Sequence, residues 1–248
     1  MTPEGRSAIA YWAAVSWHGL RFSATTIAAH EPGSPPRYWG RLSHAPQPVC
    51  VDGALAWRVP DLGFSVEGES RQPPFGLRLI EDGRGTADWE CRACRARMTF
   101  RLPGGDVMTG LGYAERLTFD FPPWALRLQD LHWGRWIAAD GQRSFAWIDW
   151  RGPDHLTAVF VDGVRDSSGV VHDEEVRTSG VVLAFEERTM LDGRSLQDIL
   201  GRSWPVSRLL PKSWLALQDR KWLSLGTLED AGAEAAAGWV IHEHVRFP

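Results

Sequence analysis

Asp149 has the strongest claim to chemistry in this sequence. It stands in SFAWIDWR (Ser144–Arg151), where period-two alternation puts Phe145, Trp147, Asp149 and Arg151 on one face. Ala146, Ile148 and Trp150 take the other. Desolvation among indoles favours the protonated form of a carboxylic acid. That is the form that donates a proton to an alkene or carbonyl. Indole faces also stabilise a developing carbocation through their quadrupoles. The competing role is structural, an ion pair with Arg151 or with Arg135.

Other candidates surround it, because Gly110–Gly152 packs five tryptophans into 43 residues. Trp124, Trp133, Trp136 and Trp147 are expected to wall an apolar site. Tyr113 and Glu115 share a strand face and could bind a polar group or act as a second acid and base. An inward Glu115 paired with Arg135 serves equally well. Arg135 suits a carboxylate, of protein or substrate, although a structural role at a barrel end is the stronger expectation. Gly134, inside Trp133-Gly134-Arg135-Trp136, marks a bulge or a close backbone approach.

Two further patterns carry weaker readings. His242 and His244 share a face of WVIHEHVRF and could give two metal ligands, with His18 or His132 supplying others. A polar stripe on a closing strand is the stronger reading, and no metal is expected. Cys91 and Cys94 sit at the wrong parity to share a strand face, and there is no second CxxC. They are expected to be two half-buried reduced thiols. The sequence has no glycine-rich phosphate loop, nucleophile elbow or dinucleotide fingerprint.

Composition limits the partners. With 248 residues and a net charge of −4, nothing favours nucleic acid or an anionic membrane. Trp is abundant at 14 and Tyr scarce at three, while Lys212 and Lys221 are the only lysines, which disfavours Schiff-base chemistry. No apolar run reaches the roughly 18 residues of a spanning helix, and no signal peptide stands at the start. A soluble, cytoplasmic protein is expected. Its three cysteines are an odd number, which argues against a disulfide framework.

The elements that must position these residues are strands. Alternating runs at 10–22, 54–68, 75–82, 88–102, 107–120, 131–138, 144–151, 156–162, 170–174, 177–187 and 239–247 predict an all-β barrel or sandwich. Residues 195–202 and 206–220 could hold short helices, and 230–238 an exposed turn or brief helix. Asp162-Gly163 and Asp192-Gly193 are turn dipeptides. The Pro103–Gly105 turn divides the chain into 8–103 and 106–248, two related β units.

Gly112-Tyr113, Trp133-Gly134-Arg135 and Trp147-Ile148-Asp149 together resemble the carotenoid 1,2-hydratase (hydroxyneurosporene synthase) and AttH-like group. The resemblance is strong over about forty residues and looser through the C-terminal half. It implies a lipocalin-like antiparallel β-barrel fold, here two abbreviated barrels, an architecture that fungal decalin-forming cyclases share. It also implies that the aspartate of the last triplet, Asp149, is catalytic. Where the hydratases carry His-Asp-His-Asn-Trp-Gly, this chain has Ala114-Glu115-Arg116-Leu117-Thr118-Phe119. A carboxylate is kept there and the imidazoles are not.

The expected function is a cofactor-independent hydratase, cyclase or isomerase of secondary metabolism. Its ligand would be an apolar, unsaturated terpenoid or polyketide-like molecule. Asp149 would give the proton, with Glu115 and Tyr113 as further catalytic groups and Trp133, Arg135, Trp136, Trp147 and Trp124 binding substrate. The alternatives are a non-catalytic carrier of a lipophilic metabolite and a Trp-lined carbohydrate site. The sequence leaves the oligomeric state open.

Overall fold

The computed structural model describes residues 1–17, 19–42, 45–195, 197–198 and 211–247. The fold is all-β and lipocalin-like, built from antiparallel strands. Among the described residues no helix is long and apolar enough to cross a membrane. The chain forms two compact units. The first comprises Met1–Phe75 and Glu90–Arg116, the second Gly76–Trp89 and Leu117–Pro248.

In the first unit β1 (Ser7–Trp17), β2 (Leu20–His30) and β3 (Arg37–Leu42) form one sheet. A single strand over 10–22 is therefore corrected to a hairpin, with Gly19 at φ +78° between its arms. Alternation continues across both arms, so it conceals the reversal. The second sheet runs β4 (Val49–Val51), β5 (Ala54–Val59), β6 (Phe64–Gln72) and β8 (Gly85–Arg101). Asp52-Gly53, both at positive φ, makes the two-residue turn from β4 to β5. Leu55, Trp57 and Val59 alternate inward and pack with Ile27, Phe64, Val66 and Met98.

One strand breaks its alternation. In β8 the buried series Ala87, Trp89, Cys91, Ala93 slips by one to Cys94, Ala96, Met98, and Arg95 sits at φ +46°. This is a β-bulge. It overturns the expectation that Cys91 and Cys94 face opposite ways, since both are 2% exposed. β9 (Val107–Phe119) pairs with β8, so the Pro103–Gly105 turn connects two strands within the first unit.

In the second unit β7 (Phe75–Asp82) neighbours β8. A nine-stranded antiparallel sheet makes up most of the rest. It comprises β10 (Asp130–Ala138), β11 (Ser144–Arg151), β12 (Leu156–Val161), β13 (Val164–Asp166), β14 (Val170–Val171), β15 (Glu175–Arg177), β16 (Val181–Asp192), β17 (Gln218–Asp230) and β18 (Ala236–Arg246). Their order is β13-β12-β11-β10-β18-β17-β16-β15-β14. Val159 of β12 and Val171 of β14 belong to one core cluster, so the sheet curls and brings these two strands onto a shared core. The final strand lies mid-sheet between β10 and β17. Asp162-Gly163 makes the β12–β13 turn.

The helix expected over 206–220 is a single turn, α1 (Lys212–Leu215), and β17 begins at Gln218. Much of 195–202 and all of 206–210 lie outside the described residues. The stretch 230–238 is a turn that runs into β18.

Candidate functional site

The sheet register of the second unit brings the chemistry together. His244 pairs with His132, His132 with Asp149, and Asp149 with Thr157, across β18, β10, β11 and β12. Residues opposite one another in adjacent strands point to the same face. That face is the concave one, where Trp136, Phe145, Trp147, Val159, Leu183, Leu228 and Val240 form the core. Trp147 and Asp149 thus lie on one face, one pleat apart.

Asp149 is 5% exposed. Arg151 donates from Nε to its Oδ2 at 2.7 Å, and the Thr157 hydroxyl donates to its Oδ1 at 2.6 Å. Both carboxyl oxygens therefore have a hydrogen-bond partner, as a buried polar group requires. Arg151 also donates to the Val171 carbonyl at 3.2 Å, tying β11 to β14.

Beside the carboxylate are two stacked imidazoles. The rings of His132 and His244 lie 4.2 Å apart at 23°. His244 Nε2 is 2.8 Å from Asp130 Oδ1, and His132 Nδ1 is 3.9 Å from Asp173 Oδ1. Burial, reinforced by the charges of Arg151 and His244, pushes His132 down from 6.5 to about 4. It is a neutral imidazole at neutral pH and can accept a proton.

A ladder of aromatic rings runs behind this polar row. Trp147 stacks on Phe185 at 5.1 Å, Phe185 meets His242 at 5.2 Å, and His242 stacks on Trp222 at 5.3 Å. His242 Nε2 lies 3.0 Å from Ser224 Oγ. Gly134 makes the ladder possible, because the Trp147 indole lies where a Cβ at Gly134 would be. The glycine marks a close approach of ring to backbone.

Phe185 and Arg151 reach an open cleft of about 840 Å³, whose rim carries His172, Asp173, Glu174, Glu175 and Glu186. The cleft has a cationic and aromatic floor and an acidic rim.

The remaining sequence candidates are dispersed. Trp136 is fully buried on the concave face and donates from Nε1 to the Gly226 carbonyl at 3.1 Å. It fills the core. Trp133 and Arg135 lie on the opposite face of β10 from His132. There the Arg135 guanidinium sits 4.6 Å above the Trp89 ring and 5.7 Å from that of Trp133, and it donates to the Gly134 carbonyl at 2.6 Å. An Asp149–Arg135 ion pair is thereby replaced by Asp149–Arg151. Trp124 stands in a 3-10 turn, Pro123–Ala125, with its ring edge-on to Trp214 at 6.4 Å. Tyr113 and Glu115 belong to β9 in the first unit.

His242 and His244 do share a face, but their ring nitrogens engage Ser224 and Asp130. Among the described residues no group of three His, Cys, Asp or Glu is arranged to hold a metal ion. His18 lies outside those residues. Sequence reasoning did not assign His132 and Thr157 to the neighbourhood of Asp149. Alternation gives the face of each, but only the pairing register makes them neighbours.

The chain matches no protein-family model and no curated protein. Solved structures do resemble it. Kievitone hydratase from Nectria haematococca aligns at TM-score 0.59 and 8% identity, over 97% of this chain and 84% of that one. A putative AttH from Nitrosomonas europaea aligns at 0.59 and 12%, over 97% and 88%. CghA with Sch210972 aligns at 0.50 and 13%, over 98% and 88%. At such identities the likeness shows the lipocalin-like fold, and a fold hosts many chemistries.

Proposed function

We propose that the second unit is a cofactor-independent acid/base enzyme, a hydratase, cyclase or isomerase. Its substrate would be an apolar, unsaturated small molecule of terpenoid or polyketide type admitted at the 840 Å³ cleft. The observation that carries this reading is the row Asp149–His132–His244, titratable groups turned into the concave face beside its apolar core. Barrel stability alone does not call for them, because burying ionisable groups is costly.

Hydration or cyclisation of an alkene needs one group to give a proton and another to take one. Asp149, once protonated, is the donor, and the Thr157 hydroxyl can reverse its hydrogen bond to accept from the acid. His132, neutral at physiological pH, accepts a proton from water or from an adjacent carbon as a weak base that readily gives the proton up again. Asp130 orients His244, against which His132 is stacked. Arg151 holds the Asp149 side chain and meets a polar end of the substrate at the cleft. The hydratase among the fold neighbours supports the reaction type by analogy.

The test is Asp149→Asn against a panel of unsaturated polyketides and terpenoids. Turnover should fall by about 10²–10⁴-fold, while quenching of tryptophan fluorescence by ligand persists. A second reading, a non-catalytic carrier, is favoured by the engagement of both Asp149 oxygens. It prevails if bound ligands are never converted or if the variant turns over like the native chain.

A further inference from the structure

All three cysteines of the chain meet in the first unit, although Cys50 comes from β4 and the others from β8. The bulge in β8 places the Cys94 thiol 2.8 Å from the Cys91 sulfur and 3.2 Å from the Cys91 carbonyl. A covalent S–S bond is about 2.0 Å, so closing it needs less than an ångström of movement. Arg95, a non-glycine residue at φ +46°, holds a conformation that side chains rarely adopt. A regular strand would separate the two thiols onto opposite faces.

The bulge is anchored from the neighbouring strand. The Ser70 hydroxyl accepts the Cys94 backbone N–H at 2.9 Å and also meets the Cys94 carbonyl. Cys50, half-buried, contacts the Arg92 carbonyl through its sulfur at 3.5 Å. Cys50 thus reaches the backbone of β8, while the other two sulfurs, both buried, lie against each other.

We propose that Cys91 and Cys94 are a reversibly oxidisable dithiol, closed to an intramolecular disulfide by exchange with a small-molecule disulfide, while Cys50 remains a thiol. One of the pair, as thiolate, attacks the reagent and releases a small thiolate. The second thiolate then attacks the mixed disulfide. The Cys91–Cys94 bond forms and the reagent's S–S bond is lost. Two electrons pass from the protein to the reagent, and both thiol protons leave on the two small thiols. The product is a staple across the bulge of the strand that contributes to the core of the first unit.

The experiment uses the full chain equilibrated in mixtures of reduced and oxidised glutathione, then alkylated after denaturation and mapped by mass spectrometry. Oxidation should remove two hydrogens, protect Cys91 and Cys94 from alkylation, and leave Cys50 labelled. Cys50→Ser should oxidise like the native chain, and a dithiol reductant should reverse both. The equilibrium should favour the disulfide about tenfold or more over the same chain in urea, where only the CxxC spacing remains. A crosslink that includes Cys50 overturns the proposal. So does glutathionylation without a crosslink, the absence of oxidation, or an equilibrium equal to that in urea.

Discussion

His132 should make this fold acid-sensitive through one identifiable proton. In the folded chain it resists protonation until about pH 4, whereas an unfolded histidine takes up a proton near 6.5. Above 6.5 both states hold a neutral ring and the group contributes nothing to pH dependence. As pH falls from 6.5 to 4 the unfolded chain binds a proton that the folded chain refuses, and stability drops. The full difference corresponds to at most about 3 kcal/mol. The His132 side chain is 11% exposed, with the exposed Asp173 within 3.9 Å. Solvent screening therefore leaves about 1–2 kcal/mol. The assay is urea unfolding of the native chain and His132→Gln at about pH 7.5 and about pH 4.5. Other titrating groups cancel in the double difference. The native chain should lose about 1–2 kcal/mol more than the variant over this interval. Equal losses would show that the buried imidazole is not held neutral.

Two further perturbations probe the frame around the site. Gly134→Ala places a methyl where the Trp147 indole lies, so the ring must leave its stack on Phe185. The cost should be about 1–3 kcal/mol in urea unfolding, with a change in tryptophan emission; an unshifted midpoint would mean that the ladder is slack. Lys221 is 5% exposed and bridges Asp219 and Glu243. Lys221→Met strands two carboxylates together and should cost about 3–5 kcal/mol, whereas adding Asp219→Asn and Glu243→Gln should recover most of it. A single variant within about 1 kcal/mol of native contradicts a buried ion triad.

Much of this was legible in the residues. The alternation of Ala54–Val59 and Ser144–Arg151 gives their buried faces directly, and it places Trp147 with Asp149. Three things were hidden, each for a physical reason. The β1–β2 hairpin keeps one unbroken pattern through its turn. The β8 bulge changes parity without changing residue type, so Cys91 and Cys94 look separated when they touch. The neighbours of Asp149 depend on register between strands, which hydrophobic pattern alone does not specify for β10, where both faces are buried. The same double burial explains why Trp133 and Arg135 looked like partners of Asp149 and lie on the far face.

The strand that carries Asp149 has no free side. From Phe145 to Trp150 every residue is buried, whichever face it takes. A mutation anywhere in that stretch is first a packing mutation, and selection must accept its stability cost before any gain in chemistry. The cleft rim is different: His172, Asp173, Glu174 and Glu186 are exposed. New ligands can therefore be sampled by exchanging rim residues at small cost, with the buried carboxylate and its arginine left in place. The barrel separates what can drift from what cannot.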